Sequence, residues 1–202
     1  MKEKMIEIEK YANENNIPIV EKETIAFIMK YIKEKKVKNI LEIGSSIGYS
    51  SILMATVLPE GGTITTIEND ESKYMECLKN VKKFGMQNVI NVVYQDALEV
   101  NLTEVEYDLI FIDTIKGQYI KYFEKFQHFL AVNGVIITDN LKIHNTIDNK
   151  KNIDSKNILT LTGRIEGYID FLKENDDFST KFYDVGDGIS ISIRKEDEEF
   201  NS

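Results

Sequence analysis

The apolar positions of this chain change their period as it is read from one end to the other. Ile25, Ile28, Met29 and Ile32 recur at three- and four-residue spacing between lysines and glutamates, so residues 1–36 read as a helical cap. Residues 17–20 interrupt it, where Pro18 holds Ile17 extended. From Val37 short apolar runs alternate with amphipathic stretches. NILEIG (39–44), GTITTIEND (62–70), NVINVVYQDA (88–97), YDLIFIDT (107–114) and GVIITDN (134–140) read as strands, the first apolar enough to be buried on both faces. Between them, YSSILMATVLP reads as a helix stopped at Pro59, and ESKYMECLKNVKKFG as a helix with Gly85 at its end. GQYIKYFEKFQHFLAVNG (117–134) reads as a third, with Tyr119, Phe123, Phe126 and Leu130 on one face and Asn133-Gly134 closing it.

This rhythm predicts an α/β fold, a doubly wound, Rossmann-like sheet with helices on both faces and right-handed crossovers. After Asn140 the alternation stops. Residues 141–157 are polar and lysine-rich and read as a long loop of the kind that carries function; a helix follows over 162–175. FSTKFYDVGDGISISIRK (178–195) reads as two strands around Gly186-Asp187-Gly188, a hairpin signal, and 196–202 as a frayed tail. No repeat or linker divides the chain, so residues 1–202 are expected to form one domain.

The composition narrows the function. With 202 residues the chain is long enough for a single sizeable core. A net charge of -9 argues against broad, nonspecific nucleic-acid binding, although not against a local basic patch. Cys77 is the only cysteine, which excludes an internal disulfide and a Cys-based zinc site and fits a reducing, cytoplasmic setting. The first sixteen residues are charged throughout and lack the apolar core of a signal peptide, and no apolar run approaches a membrane span.

In open α/β sheets ligands bind outside the carboxyl ends of the strands. Those ends are Glu42 and Gly44, Glu68 and Asn69, Asp96 and Ala97, Asp113, and Asp139 and Asn140: five strands that finish in acids or amides. Gly44 and Gly48 allow a tight turn and a close approach of ligand to backbone. GSSIG lacks the middle glycine that admits a pyrophosphate in dinucleotide-binding turns, which argues against a nicotinamide dehydrogenase. Glu42 beneath the turn repels phosphate and suits a cation, while Glu68 can accept bonds from ribose hydroxyls. Each acid alone is more often an ordinary solvated residue; on adjacent strands around a glycine turn they suit a nucleoside with a positive attachment. S-adenosylmethionine has that form.

Asp113, Asp139 and Asn140 offer two carboxylates and an amide oxygen, hard donors suited to Mg²⁺ rather than zinc. Taken alone, Asp139-Asn140 is a common loop start; Asp113 on the neighbouring strand changes that. Lys116, three residues after Asp113, stands at a helix start, where a lysine is disfavoured by the dipole; beside a cation its pKa would fall, giving a general base. An exposed lysine is the plain alternative. His128 reads as surface or packing, His144 as a loop residue and Cys77 as buried and apolar. Lys142, Lys150, Lys151, Lys156 and Arg164 form a basic stretch, either solvated or in contact with phosphate.

ILEIGSSIGYSSILMA, TIEND, QDALE, LIFIDTIKGQYIKYFE, GVIITDN and VGDGISISIRK, in this order across residues 15–195, resemble the metal-dependent, catechol-type class I O-methyltransferases. NNIPIVEKE, KGQY and GDG resemble the bacterial branch that methylates 5-hydroxyuridine at the tRNA wobble position. The resemblance implies seven strands with the last antiparallel, and a homodimer. It implies that Val20, Glu42, Gly44 and Ser50 line the methionine end of the cofactor, that Glu68 holds the ribose, and that Asp96 and Ala97 hold the adenine. It also implies that Asp113, Asp139 and Asn140 bind the metal, with Asp113 also beside the cofactor, and that Lys116 is the base. The family more often has DAAKGQY where this chain has DTIKGQY, and LKIHN replaces the VLFRG-like loop that borders the acceptor. The acceptor is thus either the tRNA anticodon loop or a small phenol such as a catechol. A nucleoside-binding module without turnover is a third reading, opposed by the intact acid, amide and lysine set.

Overall fold

The computed structural model describes residues 1–102, 105–114, 117–142 and 155–199. Two helices, α1 (Lys2–Glu14) and α2 (Lys22–Lys35), precede a sheet whose strands are β1 (Asn39–Ile43), β2 (Thr63–Glu68), β3 (Ile90–Tyr94), β4 (Tyr107–Ile112), β5 (Leu130–Thr138), β6 (Phe178–Tyr183) and β7 (Ile189–Arg194). Helices α3 (Tyr49–Ala55), α4 (Glu71–Lys83), α5 (Tyr119–Phe126), α6 (Ser155–Lys173) and α7 (Lys195–Glu199) connect or follow them. The strand order is β3-β2-β1-β4-β5-β7-β6. The first five strands run parallel, and β7 runs antiparallel to both β5 and β6. Six strands therefore point one way and the last the other, the Rossmann-like arrangement expected from the sequence.

The period-2 alternation of the strands divides the core between the two faces. Ile40, Leu109, Phe111, Val135 and Ile137 face α1 to α4 and join Ile8, Ile28, Ile32 and Ile52. Leu41, Ile43, Ile110, Ile112 and Ile136 face the other way and meet Phe123, Phe126 and Tyr168 of α5 and α6. β1 has apolar residues on both sides because it lies between β2 and β4 and is covered on both faces. Asp108 starts it: its Oδ2 accepts from the backbone N–H of Lys38 at 2.7 Å and of Asn39 at 2.8 Å.

Three expectations change. The stretch 117–134 is not one helix. After α5 comes a single 3₁₀ turn, Gln127–Phe129, and the chain enters β5 at Leu130. The pairing with β4 jumps from Tyr107↔Leu130 to Leu109↔Val135, so 131–134 form an irregular excursion, with Asn133 in the left-handed region (φ 61°). Asn-Gly here is a bend within a strand rather than a helix stop. Second, α3 ends at Ala55, four residues before Pro59, and 56–57 form a turn. Third, residues 196–199 of the expected frayed tail belong to the helix α7. Asp197 is 4% exposed and its Oδ2 accepts from Asn133 N at 2.9 Å, closing the β5 excursion. Among the described residues no helix is long and apolar enough to cross a membrane.

Candidate functional site at the strand tips

The turn after β1 is built by close approach. Gly44 has φ 100°, and a Cβ there would lie 2.1 Å from the carbonyl oxygen of Asp113. Its N–H donates to Ile67 O at 3.0 Å, so the turn is pinned between the ends of β2 and β4. Gly48, at φ 82°, opens α3 and leaves room for the Cys77 sulfur, 2.9 Å from where its Cβ would be. The two glycines thus admit protein backbone and side chain as well as shaping the turn. Cys77 is fully buried, and burial pushes its thiol up to about 12.

Glu42 lies beneath this turn, wholly buried. Thr66 Oγ1 donates to it at 2.6 Å and Ser50 Oγ at 2.5 Å, and Ser51 Oγ donates to the same oxygen as Thr66. Burial raises its carboxyl above the usual range, the three hydroxyls oppose that, and nearby Glu68 adds to it. Ser51 and Thr66 were not singled out from the sequence; their signal was a hydroxyl beside Ser50 and a Thr on the strand facing Glu42. Glu68 is held by backbone instead. Oε2 accepts from Ser46 N at 2.8 Å, and Oε1 from Asn69 N at 3.0 Å and Asp70 N at 2.9 Å. Three accepted bonds leave capacity on a carboxylate that has about four lone-pair sites.

Between these tips lies a narrow cleft lined by Gly44, Glu68, Asn69, Gln95, Ala97 and Tyr122, with Thr114 and Gln118 along one side. None of its described lining residues is basic. The structure brings Gly44, Glu68 and Ala97 to this cleft. Glu42 and Ser50 support its floor from below and do not line it. Asp96 caps the turn behind Ala97, its Oδ1 accepting from Leu98 N at 2.7 Å. Val20 is buried in the core before α2; its segment is joined to the turn where Ser46 Oγ donates to Pro18 O at 3.4 Å.

Across the Gly44 turn stand Asp113, Asp139 and Asn140. Asn140 Nδ2 donates to Asp113 Oδ1 at 2.8 Å, and Asn140 N to Asp139 Oδ1 at 2.7 Å. Asn140 is left-handed (φ 67°), which turns its side chain back toward β4. Tyr119, buried at the start of α5, donates to Asp139 O at 3.2 Å and Thr114 O at 3.3 Å. Burial, then Asp113 and Asp139, raise its phenol well above its ordinary value, so it stays a donor. The sequence reading used Tyr119 only as a core residue. Among the described residues no group of three or more His, Cys, Asp or Glu gathers as metal ligands; the trio reaches three donors by counting the Asn140 amide. Two carboxylates and an amide are the oxygen set that a hard divalent cation takes. Lys116, His144, Lys150 and Lys151 lie outside the described residues, as does the side chain of Lys156.

The C-terminal hairpin reaches the same rim. Leu141 N donates to Gly188 O at 2.9 Å and Lys142 N to Asp187 O at 2.7 Å. A Cβ on Gly188 (φ 80°) would sit 2.8 Å from Lys142 Cγ. Gly186-Asp187-Gly188 therefore both turns the hairpin and carries the segment after Asn140. Lys142 Nζ pairs with Asp184 at 2.5 Å and donates to Gly186 O at 2.8 Å, which commits its charge within the protein. His128 is exposed in the 3₁₀ turn, away from the cleft.

The family model described as O-methyltransferase matches residues 2–195. Tapetum-specific methyltransferase 1 of Arabidopsis thaliana is 34% identical over 152 residues, 72% of this chain and 64% of that protein. Caffeoyl-CoA O-methyltransferase of Populus kitakamiensis is 29% identical over 131 residues, 62% of this chain and 54% of that one. This chain thus spans less than two thirds of the length of these relatives. Among solved structures, a Staphylococcus aureus protein assigned as a caffeoyl-CoA O-methyltransferase superposes with a TM-score of 0.85 at 32% identity, covering 94% of this chain and 91% of that one. A Bacillus cereus O-methyltransferase in complex with SAH shares the fold at a TM-score of 0.81 and 24% identity, over 96% and 91% of the two chains.

Proposed function

The chain belongs to the O-methyltransferase family, and from that premise we propose that it transfers the methyl group of S-adenosylmethionine to an acidic hydroxyl, with Mg²⁺ or another hard divalent cation. The 5-hydroxyl of 5-hydroxyuridine at the tRNA wobble position is the preferred acceptor. The observation that carries the reading is the pairing of two half-sites across one turn: a cleft lined by Glu68, Asn69 and Gln95, and the Asp113–Asp139–Asn140 trio on the other side of Gly44.

In the reaction a C–O bond forms as the methyl-sulfur bond breaks. The bonding pair stays on sulfur, leaving S-adenosylhomocysteine, and the hydroxyl proton passes to a base. Glu68 is oriented by three backbone amides, so it can accept ribose hydroxyls without reorganising. Glu42 ties β1, β2 and α3 together beneath the methionine end. Asp113, Asp139 and Asn140 would hold the cation, which would supply Lewis acidity that lowers the pKa of the acceptor hydroxyl. Tyr119 fixes the backbone of Asp139 and Thr114 around it. Lys116, by its sequence position, takes the proton. Because displacement at a methyl must be in line, positioning supplies much of the rate.

A catechol or other small phenol also presents two adjacent oxygens, and the caffeoyl-CoA O-methyltransferase relatives favour that second reading. Purified protein with S-adenosylmethionine and Mg²⁺, with and without chelator, offered hydroxyuridine-bearing tRNA and catechol in parallel, separates them by product mass. Chelator-sensitive methylation of the tRNA is expected. Methylation of catechol alone would replace the RNA acceptor, and chelator-resistant turnover would remove the cation. A cytoplasmic homodimer belongs to the same reading, and light scattering of the purified chain tests the assembly.

A further inference from the structure

Two of the residues in the basic stretch have described side chains, and they differ in what they touch. Lys142 is neutralised by Asp184. Arg164, exposed on α6, has no ion pair and no hydrogen bond among the described residues. It is nevertheless placed. A Cβ on Gly117 would lie 2.6 Å from Arg164 Nη1 and 3.5 Å from its guanidinium carbon, so the guanidinium lies directly beside this glycine. Gly117 is four residues beyond Asp113 and adjoins Gln118, which lines the cleft. One turn along α6 from Arg164, Tyr168 packs on Tyr119 with ring centroids 5.2 Å apart, and Tyr119 bonds the backbone of Asp139. The helix that carries the arginine is thereby braced on the same side chain that braces the acid trio.

An arginine without an acid partner among the described residues, in a chain of net charge -9 and at the lip of an acid-lined site, suits an anion from outside. We propose that Arg164 binds an oxyanion carried by the acceptor, a phosphate or a carboxylate, and so selects anionic acceptors over neutral ones of the same vicinal-oxygen chemistry. The proposal takes its acceptor from the methyl-transfer reading above. Its geometry, a guanidinium beside Gly117 and unpaired among the described residues, is independent of that reading. Arg164 is not among the described residues that line the cleft, so the oxyanion is held beside the cofactor pocket and not within it.

The test uses the full chain with S-adenosylmethionine and Mg²⁺ and two matched pairs of acceptors: 5-hydroxyuridine against its 5′-monophosphate, and catechol against 3,4-dihydroxybenzoate. Wild type, Arg164→Ala and Arg164→Lys are compared by the ratio of kcat/KM for the anionic over the neutral member. A ratio of about tenfold is expected for wild type, the worth of one charge-assisted contact, falling toward one in Arg164→Ala and partly recovered in Arg164→Lys. Preference within the nucleotide pair assigns phosphate, and within the phenol pair carboxylate. No preference in wild type, or one retained in Arg164→Ala, overturns the proposal. Calorimetric titration of the two anionic compounds into protein loaded with S-adenosylhomocysteine gives a readout without turnover. If no acceptor is methylated, the methyl-transfer reading fails. An affinity about tenfold weaker in Arg164→Ala still upholds the anion site, and an unchanged affinity removes it.

Discussion

Asn140 donates its side-chain amide to Asp113 Oδ1 across 2.8 Å, joining the ends of β4 and β5 over a gap of 27 residues in sequence. The bond holds the three oxygen-bearing side chains together before any ligand arrives. Asp113→Ala removes one charge and the acceptor of this bond. Turnover should fall by at least about a hundredfold, and calorimetry should show loss of the Mn²⁺ or Mg²⁺ heat. Full activity with the cation heat intact would remove Asp113 from the ligand set.

Gly44 and Gly85 both have positive φ, 100° and 69°, and differ in surroundings. At Gly44 an added methyl meets the Asp113 carbonyl at 2.1 Å; at Gly85 nothing lies within 4 Å. Gly44→Ala should cost about 2–4 kcal/mol, backbone strain plus overlap. Gly85→Ala should cost at most about 1 kcal/mol, the strain alone less the entropy it removes from the unfolded chain. Urea denaturation of both variants tests the contrast; equal costs would mean that the close approach at Gly44 does not govern.

Glu42 makes stability fall with pH. Its folded pKa is raised by burial, so between the unfolded value and that raised value the folded state holds a proton that the unfolded state has lost. Stability attributable to this group is full below the unfolded pKa and declines as pH rises toward the folded one, at up to about 1.4 kcal/mol per pH unit. Glu42→Gln keeps the shape and abolishes the titration. Thermal unfolding from pH 4.5 upward should show the variant gaining on wild type as pH increases. Parallel curves would mean that the hydroxyls of Ser50, Ser51 and Thr66 cancel the burial effect.

Asp197 anchors the terminal helix to the β5 excursion through Asn133 N. Asp197→Ala should destabilise by about 1–3 kcal/mol, the range for a buried acceptor lost from a backbone donor. A change below a few tenths in denaturant unfolding would show that the tail adds nothing.

The parallel strands β1 to β5 were legible because each is a short apolar run with an acid at or just past its end, and a parallel sheet buried on both faces leaves that trace in the chain. The site was legible for the same reason, since strand ends carry both the pattern and the chemistry. Residues 117–134 were misread because Phe126 and Leu130 keep helical spacing across a change of element; the period alone does not reveal that Leu130 pairs with Tyr107. The hydroxyl cradle of Glu42 was half legible: Ser50 follows the glycine turn, but Ser51 and Thr66 acquire their role only when α3 folds back over β2. The order of the tail depended on a contact 64 residues away, which no local pattern encodes.

The carbonyl of Asp113 occupies the space that a side chain at Gly44 would fill, so the wall between the cofactor cleft and the acid trio is one peptide unit thick. A wall that thin makes the two half-sites thermodynamic neighbours. Any ligand whose binding shifts the Asp113 peptide alters affinity on the far side, and reciprocity requires the same factor in return. A substitution at Gly44 would therefore disturb both half-sites at once.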